Sequence, residues 1–246
     1  MRALSILTLV GFCLVWTGCD SANSDPQGEL LIVDVTPGDG ERVGPGQTLK
    51  VLYTGQLQNG TQFDSTDERG TPWYFTMVTG QVLEGWLEGL DGMLVGGTRR
   101  LTIPPHLAFG SQGRCLTDGT CPIPPNATLI YDVTVLDILV EVEVEDVVEG
   151  TGLVADNGKL VAVGYTGTFV DGQVFDSSEL SGQPIVFTLG VGTVIAGWDQ
   201  GLVGMREGGI RNLIIPPHLA YGAAGRSSIP AYSTLKFRVE MVKVED

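Results

Sequence analysis

The sequence predicts an α+β protein made of two copies of one domain, each an antiparallel sheet curled around one short helix. Three observations predict it. The chain of 246 residues repeats itself at a fixed offset, its apolar runs are short and strand-like, and each repeat holds one stretch with helical spacing. Hydrophobic residues make up 43% of the chain, which suits packed cores rather than disorder. The 35 glycines and 13 prolines supply turn chemistry for many short strands rather than long helices.

The repeat sets the organisation. Tyr53-Thr54-Gly55 recurs as Tyr165-Thr166-Gly167, and Phe63-Asp64-Ser65 as Phe175-Asp176-Ser177. Gly85-Trp86 recurs as Gly197-Trp198, and the run from Ile103 to Ala108 returns from Ile215 to Ala220. All are 112 residues apart, and chance does not hold one offset over so many uncommon residues. After them the offset falls to 106, since Ile123 matches Ile229 and Thr128-Leu129 matches Thr234-Leu235. The first copy therefore carries six extra residues in one loop. Copy one is assigned to residues 29–139 and copy two to 140–246, with no flexible linker between them. Each is long enough to own a core, so the pair is not a solenoid.

Within a copy, Leu49 to Tyr53, Thr98 to Ile103 and Leu129 to Val135 read as strands, and Pro104-Pro105 ends the second. Residues 140–145 alternate valine and glutamate, which predicts a half-buried strand. It would follow the last strand of copy one almost directly and restrict the orientation of the two domains. Trp86, Leu90 and Met93, and likewise Trp198, Leu202 and Met205, are spaced i, i+4, i+7, which predicts one helix per copy.

The first 19 residues read as a signal peptide. Arg2 precedes an apolar stretch too short to span a bilayer, and the chain turns polar at Asp20. Gly18-Cys19 resembles the lipobox of bacterial lipoproteins, although Trp16 stands where that pattern usually has leucine. The resemblance implies lipidation of Cys19, a tether over residues 20–28, and a bacterial cell-envelope location, in the periplasm or on the outer surface. Ordinary cleavage and free secretion is the alternative. Asp20 is reminiscent of an inner-membrane retention signal.

The formal net charge is −15, with 29 acidic against 14 basic residues. Such a chain is repelled by nucleic-acid phosphates and anionic lipid, so neither is an expected partner, and contact with a membrane is expected only through the lipid anchor. Cys115 and Cys121, six apart in the inserted loop, read as a local disulfide that pins it in an oxidising compartment. The spacing does not fit a redox-catalytic pair, and His106 and His218, the only histidines, read as loop residues. No metal site or cofactor is expected. Asn59-Gly60-Thr61 and Asn126-Ala127-Thr128 match a glycosylation pattern that a bacterial leader makes irrelevant.

In order, each copy shows Tyr-Thr-Gly, Phe-Asp-Ser, Val-Leu/Ile-x-Gly-Trp, Gly-Gly-x-Arg with Ile-Pro-Pro, Ala-Phe/Tyr-Gly, and a last Ile-Pro…Thr-Leu segment. The ordered set, present twice, resembles the FKBP-type peptidyl-prolyl cis-trans isomerases. The resemblance implies a pocket between helix and sheet. In copy one it would be built from Tyr53, Phe63, Asp64, Trp86 and Phe109, with Trp73, Val82, Leu83, Ile123 and Tyr131 holding substrate. In copy two the matching positions are Tyr165, Phe175, Asp176, Trp198 and Tyr221, with Ile185, Val194, Ile195, Ile229 and Phe237.

By the same resemblance, Trp86 and Trp198 form the pocket floors, although at helical spacing each also reads as plain core. The N–H groups of Leu83 and Ile195 would meet the carbonyl before the substrate proline. Asp64 and Asp176 would bond the tyrosine hydroxyls and order the pockets rather than move protons.

The implied partners are proline-containing polypeptides, with macrolide-type inhibitors. The implied activity is rotation of X-Pro bonds in exported proteins, assisting folding. It needs no nucleophile, and no nucleophilic or metal constellation is in view. A non-enzymatic binder of proline segments, acting as chaperone or scaffold, is the alternative, and a structural lipoprotein reusing the fold is a third. The copies also differ from each other. Phe109 stands where the family usually has tyrosine. Arg69 can pair with Asp64, whereas copy two has Ser181 there, and Ile185 replaces the aromatic wall that Trp73 provides. The expectation is two competent pockets with different substrate preferences.

Overall fold

In a computed structural model of the chain, residues 28–245 are described. The signal segment, Cys19 and all but the last residue of the tether lie outside them. Copy one forms strands β1 (Leu31–Thr36), β2 (Thr48–Leu57), β3 (Gln62–Ser65), β4 (Trp73–Thr76), β5 (Thr98–Ile103) and β6 (Leu129–Ile138). It adds a one-turn helix, α1 (Thr66–Arg69), and the main helix, α2 (Glu84–Leu90). Copy two forms β7 (Glu143–Val148), β8 (Leu160–Phe169), β9 (Val174–Ser177), β10 (Ile185–Thr188), β11 (Ile210–Ile215) and β12 (Leu235–Glu245), with helices α3 (Ser178–Ser181) and α4 (Ala196–Gly201).

The two sheets share one topology. The first runs β1-β5-β6-β2, with β3 and β4 both pairing with β2. The second runs β7-β11-β12-β8, with β9 and β10 both pairing with β8. The strand pairs are antiparallel. Alternate side chains of β2, among them Leu49, Val51 and Tyr53, point into the core with Leu101, Ile103, Tyr131 and Val133 from its neighbours. Trp86 and Leu90 close that core from the helix side. The second core repeats this with Val161, Val163, Leu213, Ile215, Phe237 and Val239 under Trp198.

Glycine lets the helix press onto the sheet. A Cβ at Gly85 would lie 2.3 Å from Cγ2 of Ile103, and one at Gly197 the same distance from Ile215. No side chain fits there, so the helix backbone itself rests on the isoleucine.

One expectation is sharpened and one corrected. The helices are short, as expected, and each ends before the spaced stripe does. The first ends at Leu90, because Asp91 leaves the helical region and Gly92 follows at φ 72°. The second ends at Gly201, so Met93, Leu202 and Met205 reach the cores from the following loops. The half-buried strand expected over residues 140–145 is instead an exposed edge strand starting at Glu143. Among the described residues it pairs only with β11, and from the alternating run only Val142 packs against the core.

Glu143 works at the junction of the two copies, which only residues 139–142 separate between β6 and β7. Its carboxylate pairs with Lys50 and accepts a 2.8 Å hydrogen bond from the Tyr74 hydroxyl. Lys50 and Lys236 each sit 5.7 Å from the Tyr74 ring centroid, a cation–π contact from either copy. Burial lowers the pKa of Lys236, with Glu143 opposing. Gln81 Nε2 donates to the carbonyl of Ala231 at 3.1 Å. A ring nitrogen of His218 lies 2.9 Å from the carbonyl of Val140. The restricted orientation expected from the short connection thus has a polar clamp behind it.

Gly85→Ala should destabilise the first domain by about 1–3 kcal/mol, the usual cost of overpacking a core. Urea unfolding followed by tryptophan fluorescence reads it. An unchanged midpoint would mean that the helix has room to lift.

Candidate active site

The site begins with the end of β2. Tyr53 lies in a buried register opposite Val133, and Gly55 opposite Tyr131. The glycine of Tyr-Thr-Gly is required because rings lie against it. A Cβ there would stand 2.7 Å from the Tyr131 ring and 2.9 Å from Phe63. Gly167 meets Phe175 and Phe237 in the same way.

The one-turn helices explain the Phe-Asp-Ser motif. Ser65 caps α1 by accepting the N–H of Asp67, and Gly70 ends the turn in the left-handed region. Thr66 then braces Tyr53, its Oγ1 accepting the tyrosine N–H at 2.9 Å and donating to the tyrosine carbonyl. Ser177 and Ser178 take these roles for Tyr165 in copy two.

With the backbone held, the side chains meet. The Tyr53 hydroxyl donates to Asp64 Oδ2 at 2.8 Å, and the Tyr165 hydroxyl to Asp176 Oδ2 at 2.7 Å. In copy one Arg69 completes a triad by donating to the Tyr53 hydroxyl at 2.6 Å and pairing with Asp64. Copy two has no arginine at that position, and no cation pairs with Asp176 among the described residues. Burial, and next the carboxylate on the hydroxyl, pushes both tyrosines well above their ordinary pKa near 10. They therefore remain neutral donors in neutral solution. Tyr131 is raised by burial first and then by Tyr53.

The rings form the walls. Trp86 lies edge-on to Tyr53 at 5.3 Å and to Tyr131 at 5.1 Å, and Phe63 edge-on to Tyr131 at 5.6 Å. Trp73 stacks on Phe75 at 4.9 Å and meets Tyr53 and Trp86 edge-on. In copy two Trp198 meets Tyr165 at 5.0 Å and Phe237 at 5.3 Å. The Trp198 indole N–H is buried without an acceptor among the described residues.

Each set of ten residues expected at the two pockets lines one cavity. The first has a volume of about 330 Å³ and the second about 810 Å³. Their size difference has a local cause. Ile185 stands where Trp73 does in copy one, and it leaves the wall low. The N–H groups of Leu83 and Ile195, at the starts of α2 and α4, have no acceptor among the described residues, as expected for a first helical turn.

Several lining residues were not foreseen. Gln81 and Arg114 line the first cavity, and Thr193, Arg226, Ser227 and Ser228 the second. The repeat held the signal for two of them, because Gly113-Arg114 returns as Gly225-Arg226 at the same offset of 112. Both loops close through one backbone pairing, Arg114 with Ile123 and Arg226 with Ile229. The six extra residues hang outside that pairing, where Cys115 and Cys121 form the expected disulfide.

Comparison with known proteins follows the same outline. The family described as FKBP-type peptidyl-prolyl cis-trans isomerase matches residues 40–136 and 153–242. Among curated relatives, human "Peptidyl-prolyl cis-trans isomerase FKBP10" is 36% identical over 224 residues, covering 89% of this chain and 38% of the relative. Rat "Peptidyl-prolyl cis-trans isomerase FKBP9" is 34% identical over 228 residues, covering 91% of this chain and 39% of that one. "FK506-binding protein 4" of Gibberella zeae is 50% identical over 109 residues, 44% of this chain and 21% of its own length. The chain thus spans well under half the length of these relatives.

The raised tyrosines fix a pH dependence. Below about pH 10 folded and unfolded chains both keep these protons. Above it the unfolded chain releases them while the fold retains them, so stability falls as pH rises. Thermal melts from pH 8 to 11 should show the midpoint dropping past pH 10, and dropping less in Tyr53→Phe/Tyr165→Phe. An equal drop in the variant would assign the alkaline loss to other groups.

Proposed function

The chain belongs to the FKBP-type peptidyl-prolyl cis-trans isomerase family, and we propose that each of its pockets turns X-Pro peptide bonds between cis and trans. The observation that carries this reading is the cavity itself. Six aromatic side chains line the first and five line the second, with a neutral tyrosine held on a carboxylate at each rim.

That lining suits the chemistry. Rotation about a peptide bond faces about 18–20 kcal/mol because resonance gives the C–N bond double-bond character. At X-Pro bonds both isomers are accessible, and uncatalysed exchange takes tens to hundreds of seconds. The twisted transition state has lost that resonance, so its carbonyl is less polar than in either planar form. Water solvates the planar forms better. A water-poor aromatic pocket therefore binds the twisted form preferentially, and this lowers the barrier without any bond being made to the protein.

The positions of the lining residues support the following roles. Trp86 and Trp198 form the floors against which the proline ring packs. Phe63, Trp73, Val82, Ile123 and Tyr131 enclose it in the first pocket, as Phe175, Ile185, Val194, Ile229 and Phe237 do in the second. The free N–H of Leu83 or of Ile195 takes the carbonyl before the proline. Tyr221 can offer a hydroxyl that Phe109 lacks. The wider second pocket accepts bulkier segments than the first.

The substrates are proline-containing polypeptides in an oxidising compartment, which the Cys115–Cys121 disulfide favours. We assign the leader to residues 1–19, the tether to 20–28, and the domains to 29–139 and 140–246. Lipidation at Cys19 and a bacterial envelope location rest on Gly18-Cys19 alone. The relatives named above are human, rat and fungal and lend that anchor no support. Among the described residues, no helix is long and apolar enough to cross a membrane. A macrolide of the FK506 type should compete for the pockets.

Cis-to-trans relaxation of a Leu-Pro peptide, followed by NMR exchange, tests the activity. The wild type should accelerate it and FK506 should suppress the acceleration. Tyr53→Phe/Tyr165→Phe should lower kcat/KM by about fivefold, the value of one hydrogen bond. A folded chain that binds the peptide without accelerating exchange would establish the scaffold reading instead.

A further inference from the structure

Each cavity carries an arginine at its mouth that none of the roles above uses. Arg114 lines the first cavity and Arg226 the second, both exposed. Their backbones are held alike. The N–H of Arg114 donates to the carbonyl of Ile123 at 2.8 Å, and that of Arg226 to Ile229 at 2.9 Å. Each pairing ties the arginine to an isoleucine that also lines the pocket. In copy one Cys115 follows directly, so the disulfide braces the residue next to Arg114.

Neither guanidinium has a carboxylate partner among the described residues. Arg69, Arg99, Arg100 and Arg211 each have one. Arg42, Arg206 and Arg238 lack one too among the described residues, but of these unpaired arginines only Arg114 and Arg226 line either of the two aromatic cavities. Arg226 lies 5.5 Å from the centre of the Tyr221 ring, a face contact that leaves the edge of the guanidinium free to donate.

The pockets differ in what surrounds these cations. In the first, Asp64 is already paired with Arg69, so the charge of Arg114 is uncompensated. In the second, no cation pairs with Asp176, and its charge offsets that of Arg226. Counted over the lining residues alone, the first cavity carries one net positive charge from Asp64, Arg69 and Arg114, and the second none from Asp176 and Arg226, with Glu84 exposed beside Leu83 at the edge of the first.

We propose that Arg114 is a specificity-determining residue that selects proline segments with an acidic side chain beside the proline, and that the first pocket is the more acid-selective of the two. The inference rests on the isomerase reading for the site but concerns which segment enters it. The contact is solvent-exposed, so its selectivity is about two- to fivefold, and salt weakens it.

The test uses the full chain and three peptides differing only at the residue before proline, Glu-Pro, Leu-Pro and Lys-Pro, with a second set varied after the proline. Exchange rates and Kd values by NMR titration are measured together. At low salt, Glu-Pro should exceed Lys-Pro in one or both sets, and the ratio should shrink at high salt. Arg114→Glu should invert that ratio, Arg114→Lys should keep it, and Arg226→Glu should move it less. If Leu-Pro is turned over while Arg114→Glu leaves the ratio unmoved, or if Arg226→Glu moves it more, the inference is overturned. If no peptide is accelerated, the isomerase reading fails, and the Kd ratios still decide the selectivity.

Discussion

The contact between a glycine-bearing helix and one isoleucine of the sheet sets the depth of each pocket. Gly85 on Ile103 and Gly197 on Ile215 allow the helix to sit low. Low seating brings Trp86 and Trp198 down among the sheet aromatics, where they are floor and core at once. It also fixes the starts of α2 and α4, and so the direction of the free N–H groups of Leu83 and Ile195. A larger residue at either glycine would lift the floor, and the cavity above it would change shape before any lining residue was altered.

Around that contact, polar groups do a second job. The Tyr53 and Tyr165 hydroxyls would cost stability if buried unpaired, and the carboxylates at each rim satisfy them. Thr66 and Ser178 hold the same tyrosines through the backbone. The tyrosine–aspartate pair is thus satisfied within each rim, and in the proposed reaction its part is to order the pocket rather than to transfer a proton.

The duplication did not yield two equal sites. Trp73 and Arg69 line the first cavity and Arg69 pairs with Asp64, while the second has Ile185 in place of the tryptophan and no matching arginine. The junction is asymmetric too. Tyr74 is buried against Glu143 and Lys236 from the other copy, but Val186, its counterpart by the repeat, is exposed. Gln81 lines the first cavity and holds the Ala231 carbonyl two residues beyond Ile229 of the second. The rim of the first pocket is thus hydrogen-bonded to the loop that follows Ile229 of the second.

Much of this was readable in the sequence because the repeat compares the protein with itself. Tyr53, Asp64, Trp86 and their counterparts stand out as uncommon residues kept at one offset. Two antiparallel sheets followed from short apolar runs and turn residues, and the Cys115–Cys121 pairing from spacing and compartment. Other features needed the fold. Helix ends depend on where Asp91 and Gly92 leave the helical region, which a stripe of apolar spacing does not encode. The valine–glutamate alternation of residues 140–145 looked half-buried, but burial depends on what lies across the sheet, and at an edge nothing does. Arg114 and Arg226 recur plainly, yet an arginine acquires meaning only from its neighbours. Order along the chain determined which residues are shared and which strands and helices they can form. Distance in three dimensions decided which cations are paired, how wide each pocket is and where the copies touch, because those energies depend on separations between groups far apart in sequence.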